Sequence, residues 1–286
     1  MGEACFAPTV FCVLHSVYFL MLIPDVRIGT SSWRFDDWKG AFYTAKSGDE
    51  LAFYARRFPT VEIDSTWYFT PRKSVVESWR ERVPDDFRFA AKVPRSITHD
   101  KNLIDCESET DEFLRAMENL GDKRGPLLFQ FPPHWGAPDG EDALRRFLPT
   151  LPRNDGWQFA WEFRHASWFS ERTANLLNEY SMCWTLADFG GGVAQPFVTT
   201  DWTYIRWLGD RYDETLAPYN SLKLDKTDEE IWWLDFINDA PVKEIWGYFN
   251  NHWAGFSPAS AREFSQKLGL PPRLVPESPS EQGTLF

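Results

Sequence analysis

Cysteine, histidine and positive charge are all in short supply. The four cysteines, Cys5, Cys12, Cys106 and Cys183, show no C-x-x-C spacing. That excludes a zinc ribbon and a disulfide framework and fits a reduced, cytoplasmic setting. Five histidines are present and none falls in H-E-x-x-H, so the helix-borne zinc-hydrolase pattern is missing. Lys and Arg number 30 against 42 Asp and Glu, a net charge of −12. A broad basic face for non-specific nucleic-acid binding is excluded; a local basic patch inside a cleft is not.

Long hydrophobic runs are lacking too, with one exception. Residues 5–23 are almost uninterrupted apolar or small residues, nearly long enough to span a bilayer. No Lys or Arg precedes the run, Glu3 is acidic, and no A-x-A cleavage site follows. Met21 stands just before the first strand. Translation is expected to start there, leaving residues 1–24 as an apolar extension. A signal anchor and an ordered extension are the alternatives. A membrane partner is not expected.

What remains is a repeated pattern. Eight short apolar runs occupy 26–29, 61–64, 88–93, 127–131, 158–164, 182–188, 203–209 and 244–251, each with a polar or charged residue at or near its end. Helical patterning falls at 48–57, 74–82, 109–120, 142–148, 170–180, 227–238 and 258–267. Thr227 and Glu230 have capping-box spacing. Eight strand–helix units predict an α/β fold, a (β/α)8 TIM barrel, as one domain over 25–270. The final stretch, 271–286, is rich in Pro, Ser and Glu and is expected to be a disordered tail.

Alternation within the runs predicts which side chains face the barrel axis. Val61 and Ile63 share one face while Glu62 and Asp64 share the other. Phe159, Trp161 and Phe163 alternate with Ala160, Glu162 and Arg164, and Arg206 opposes Ile205 and Trp207. An outer face must be apolar to pack on helices, whereas the inner face can turn polar near the mouth. The expected mouth set is Glu62, Asp64, Lys92, Gln130, Glu162, Arg164, Asp188, Arg206 and Asn250. Aromatics make up 17% of the chain, and most fall on outward faces or helices, where they pack rather than bind.

The motifs are specific. They are Ile28-Gly-Thr-Ser-Ser-Trp33 with Trp38, Gly40 and Tyr43; Phe58-Pro-Thr-Val-Glu-Ile-Asp-Ser-Thr-Trp-Tyr68; Phe87-Arg-Phe-Ala-Ala-Lys-Val93 with Thr98 and His99; Gly125-Pro-Leu-Leu-Phe-Gln-Phe-Pro132; Trp161-Glu-Phe-Arg-His-Ala-Ser-Trp168; Tyr204-Ile-Arg206; and Tyr248-Phe-Asn-Asn251. In this order they resemble the YecE-like family, domain of unknown function 72. The resemblance implies a TIM barrel and supplies no reaction. It departs at Asp64, where the family usually has Asn, and at Trp67, where it usually has Phe.

Three chemistries compete for the mouth. In the first, Lys92, Arg164 and Arg206 clamp a small anionic or nucleic-acid-derived phosphoester. Glu62, Glu162 and Asp188 then hold Mg2+ or Mn2+ or act as base, so Glu62, Lys92, Glu162 and Asp188 are the catalytic candidates. Asp64, Gln130, Arg164, Arg206, Asn250 and Trp33 are the substrate-binding candidates. In the second, Glu162 and Asp188 form a glycosidase pair, with Trp33, Trp67 and Trp168 stacking on sugars. In the third, Glu62–Lys92 and Glu162–Arg206 are structural pairs in a non-catalytic binding barrel. The C-terminal Gln282, Leu285 and Phe286 resemble the peptide with which bacterial replication and repair proteins dock on the DNA sliding clamp; Gly283 departs from the usual Leu. That partner favours the phosphoester chemistry.

Overall fold

The computed structural model describes residues 11–12, 24–153, 156–191, 193 and 197–273. Eight parallel strands form the barrel: β1 Asp25–Thr30, β2 Thr60–Ile63, β3 Arg88–Lys92, β4 Arg124–Gln130, β5 Phe159–Glu162, β6 Cys183–Asp188, β7 Trp202–Trp207 and β8 Glu244–Phe249. Each pairs with its sequence neighbour, and β8 returns to β1. The ring closes between β1 and β2, where Ser31 bridges Glu62 and Ser32 N donates to Glu62 O at 2.8 Å. The backbones crowd at this seam. A Cβ on Gly29 would stand 2.2 Å from Thr60 O, so only glycine fits.

Seven helices cover the outside: α1 Glu50–Ala55, α2 Lys73–Glu81, α3 Glu107–Glu118, α4 Ala137–Phe147, α5 Glu171–Glu179, α6 Thr227–Asp239 and α7 Ser257–Lys267. Asp49 caps α1 by accepting from Leu51 N and Ala52 N, and Ser170 caps α5 through Thr173 N. Helix α4 starts five residues before the patterning predicts, because Pro138 sits in its first turn, where its missing N–H costs nothing. The capping box expected at α6 does not form. Asp225 accepts from Thr227 N and Oγ1 instead, and Glu230 pairs with Lys267 of α7. Between β6 and β7 the described residues hold no helix. The two-residue strand Phe197–Val198 lies there, paired in parallel with Phe11–Cys12.

The core has two parts. The larger lies between strands and helices and takes most of the aromatics, as the alternation predicts. Phe129 stacks on Trp161 at 4.5 Å and Trp207 on Phe249 at 4.2 Å. The smaller fills the barrel with Ala90, Leu128, Ala160, Cys183, Trp202, Tyr204, Trp246 and Tyr248. Interior side chains therefore run from apolar low in the barrel to charged at the C-terminal strand ends. The expected tail boundary moves outward. Arg273 is tied to the barrel, its Nε donating to Ala55 O and its guanidinium gripping Asp86. Among the described residues no helix is long and apolar enough to cross a membrane.

Candidate functional site

Arg206 crosses the barrel just below the mouth. From β7, its Nη2 donates to Glu62 Oε1 on β2 at 2.8 Å, and its Nη1 to Glu162 Oε2 on β5 at 2.5 Å. Glu62 Oε2 accepts from Tyr204 OH at 2.7 Å, and Glu162 Oε1 from Arg164 Nε at 2.8 Å. All four carboxylate oxygens are engaged. Glu62 and Glu162 are fully buried, and Arg206 is 3% exposed. Buried charges of this kind persist only when paired and hydrogen-bonded. Burial alone would raise the pKa of Glu162, but Arg206 and Arg164 override it and hold the acid down to about 2. Burial opposes the charge of Arg206 too, and Glu62 and Glu162 more than restore it.

A second tier lies above. Lys92 ends β3 and donates to Asp64 Oδ1 at 3.2 Å. Its side chain is 10% exposed and that of Asp64 is 41% exposed. Burial pulls the Lys92 pKa down, Asp64 pulls it up, and Arg206 pushes it down again. Lys92 Nζ lies 4.9 Å from the centre of the Trp67 ring, and the Arg95 guanidinium 5.1 Å from it. His99 meets the same indole edge-on at 5.2 Å. Burial, then repulsion from Lys92, Arg164 and Arg95, pushes the His99 imidazole down to about 4. Arg164 uses only Nε on Glu162; among the described residues its Nη groups have no hydrogen-bond partner. Its guanidinium lies 5.3 Å from the Phe189 ring.

The structure brings Glu62, Lys92, Glu162, Arg164 and Arg206 to one end of the barrel, with Asp64 beside them. Gln130 is in register with Glu162, and its side chain donates to Phe131 O. Asn250 stands past β8 and binds His252 Nδ1 at 2.7 Å, whose Nε2 meets Tyr219 OH at 2.8 Å.

Several expectations fail. Asp188 shares the parity of Trp184 and Leu186, so it faces the helices. Its Oδ2 accepts from Trp233 Nε1 of α6 at 2.9 Å and its Oδ1 from Gly190 N. The Glu162–Asp188 glycosidase pair therefore does not exist, and neither does a metal triad of Glu62, Glu162 and Asp188. Among the described residues no group of three His, Cys, Asp or Glu could hold a metal ion. Lys92 pairs with Asp64, not Glu62, because Arg206 and Tyr204 occupy Glu62. Trp33 meets Trp79 of α2 edge-on at 5.8 Å rather than standing over the charged cluster. Trp168 is buried, with Nε1 donating to Trp135 O at 2.8 Å. Gln282, Leu285 and Phe286 lie outside the described residues.

Sequence reasoning missed two residues. Tyr204 was legible, since it shares the Arg206 face of β7. His99 was not, because it reaches the mouth through a π-helical turn at Ser96–Asp100 that no periodicity announces. A groove of about 950 Å³, lined by Val26, Phe42, Phe58, Pro258 and Leu270, lies outside the barrel, so concavity alone does not locate this site.

The sequence profile of the family described as "Protein of unknown function DUF72" matches residues 27–283. UPF0759 protein YecE of Escherichia coli (strain K12) is 35% identical over 146 residues, 51% of this chain and 51% of that protein. The chain thus spans about half the length of that curated relative. UPF0759 protein YunF of Bacillus subtilis (strain 168) is 24% identical over 293 residues, covering 87% of this chain and 99% of YunF. A crystal structure of a DUF72 family protein from Thermotoga maritima superposes with a TM-score of 0.70 at 26% identity, covering 86% of this chain and 99% of the other. One from Enterococcus faecalis gives 0.70 at 22% identity, covering 88% and 99%.

Proposed function

This chain belongs to the DUF72 family, described only as of unknown function, and from that premise we propose that its barrel mouth binds a phosphoester and hydrolyses it. One observation carries the reading. The carboxylates of the lower tier are fully satisfied, while the Nη groups of Arg164 and the ammonium of Lys92 keep donors to spare at the lip. A planar fork beside a point charge suits a phosphoryl group, and both would stabilise charge building on its equatorial oxygens. A water attacks phosphorus, the ester P–O bond breaks, and the water proton passes to neutral His99 and then to the leaving oxygen. Bound phosphate offsets the repulsion from Lys92 and Arg164 and raises the His99 pKa toward the range of a useful base.

The glycosidase alternative is disfavoured. It requires a protonated carboxyl, and Glu162 is ionised throughout the neutral range. The closed Glu62–Arg206–Glu162 network favours one second reading, a barrel that binds the anion without turnover. Hydrolysis assays on an aryl phosphodiester and an aryl glycoside, with and without Mn2+, discriminate among the three. Turnover of the phosphodiester alone supports the proposal, phosphate binding without turnover supports the second reading, and glycoside turnover refutes both.

We also infer that the tail docks on the bacterial DNA sliding clamp in a cytoplasmic setting. Support comes from Gln282, Leu285 and Phe286, two apolar anchors and an amide that fixes register. Titrating the protein and its Leu285→Ala, Phe286→Ala variant against the clamp tests it; equal binding by both, or none by either, removes the inference.

A further inference from the structure

Two cations at the lip are flanked on both sides by aromatic rings. On one side Trp67 lies under Lys92 and meets Tyr68 edge-on at 5.0 Å. Tyr68 and the adjacent Phe69 are each 66% exposed. On the other side Phe189, 47% exposed, lies against Arg164. These rings come from the loops after β2 and β6, and His99 feels both Lys92 and Arg164. Ring, cation, cation and ring thus form one strip across the mouth. Tyr68, Phe69 and Phe189 thus present open ring faces to a ligand held by the two cations.

We propose that the ligand of this strip is a single-stranded nucleic acid, with a phosphate on Lys92 and Arg164 and the flanking unpaired bases on Tyr68 with Phe69 and on Phe189. The assignment rests on the phosphoester reading above and names its substrate class. Base–aromatic stacking is sequence-tolerant, because every base has a π face, and it requires bases free of a duplex. A duplex hides those faces. It also offers a dense line of phosphates to a chain of net charge −12, with Lys92 and Arg95 already facing Asp64 and Asp100. Sugar phosphates would use the cations and leave the outer rings exposed. With one phosphate neutralised the salt dependence is shallow, a log–log slope of about −0.7 for a single strand.

The test is fluorescence anisotropy with labelled short oligothymidylate, an abasic strand of equal length and a duplex, using inorganic phosphate as competitor. The expected result is that oligothymidylate binds about tenfold tighter than the abasic strand and that the Tyr68→Ala, Phe69→Ala variant shrinks that ratio to about twofold or less. Equal affinity for the thymidylate and abasic strands, both displaced by phosphate, overturns the base-stacking proposal and leaves the phosphoester reading standing. Preference for the duplex overturns it likewise. If no strand binds, and phosphate shifts neither the protein's stability nor the His99 resonances, the phosphoester reading falls and this proposal with it.

Discussion

Arg206 and Glu162 face each other across the barrel interior, Nη1 to Oε2 at 2.5 Å, with both side chains out of reach of water. The same guanidinium holds Glu62 at 2.8 Å, so one residue of β7 ties β2 and β5 together through the lumen. The pairing is a local device and a global one. It neutralises two buried carboxylates and fixes the floor on which the lip cations stand.

Replacing Arg206 with Met should therefore be among the most damaging single changes in the chain. Two carboxylates would stay buried with one Tyr204 hydroxyl and one Arg164 Nε between them. A loss of about 3–5 kcal/mol is expected, read by urea denaturation. A variant as stable as the parent would show that water reaches this network.

Acid should weaken the fold in part through Glu162. Its folded pKa of about 2 lies below the ordinary 4.5. A depressed carboxylate contributes stability that is complete above the ordinary value and lost as pH falls toward the folded one. The window is therefore pH 4.5 to about 2. In Glu162→Gln the protein should be less stable at pH 7, and its stability should fall less steeply through that window. Parallel acid limbs in thermal melts would contradict the assignment.

At the lip, Arg164→Ala and Lys92→Met should each weaken inorganic phosphate binding by about tenfold or more, since each removes a charge-assisted contact. Arg164→Lys should recover only part of the loss, because an ammonium cannot replace a planar fork. Titration calorimetry at fixed salt gives the comparison, with far-UV circular dichroism to verify that the variants remain folded. Unchanged affinity in both would remove these residues from the site.

His99 reports the same event from another side. Free, it should titrate near pH 4 rather than 6.5. A base whose folded pKa is depressed costs stability as pH falls below 6.5, because the unfolded chain takes up the proton first. A bound anion raises that pKa, so phosphate affinity should increase as pH falls from 6.5 toward 4. Imidazole NMR titration with and without phosphate measures both. Identical titration curves would place the anion elsewhere.

Sequence pattern alone determined the barrel, because eight alternating runs leave few ways to bury an apolar face on each strand. It also determined that Glu62, Glu162, Arg164 and Arg206 point inward, since parity is a property of the strand itself. Parity held while the chain stayed extended. Asp188 closes its run with the parity of Trp184 and Leu186, and that parity sends it outward to Trp233.

Partner choice was a different matter. Nothing along the chain says that Glu62 meets Arg206 rather than Lys92, because the two glutamates and the arginine lie on strands far apart in sequence. Closure of the ring at Gly29 and Thr60 sets which inward side chains face one another across the lumen. Loop geometry likewise brought His99 and Trp67 to Lys92. The sequence by itself determined which residues face inward and paired Glu162 with Arg206; only the closed barrel decided that Glu62 joins the same guanidinium and leaves Lys92 to Asp64, because pairing across a lumen depends on distances that exist only once all eight strands are in place.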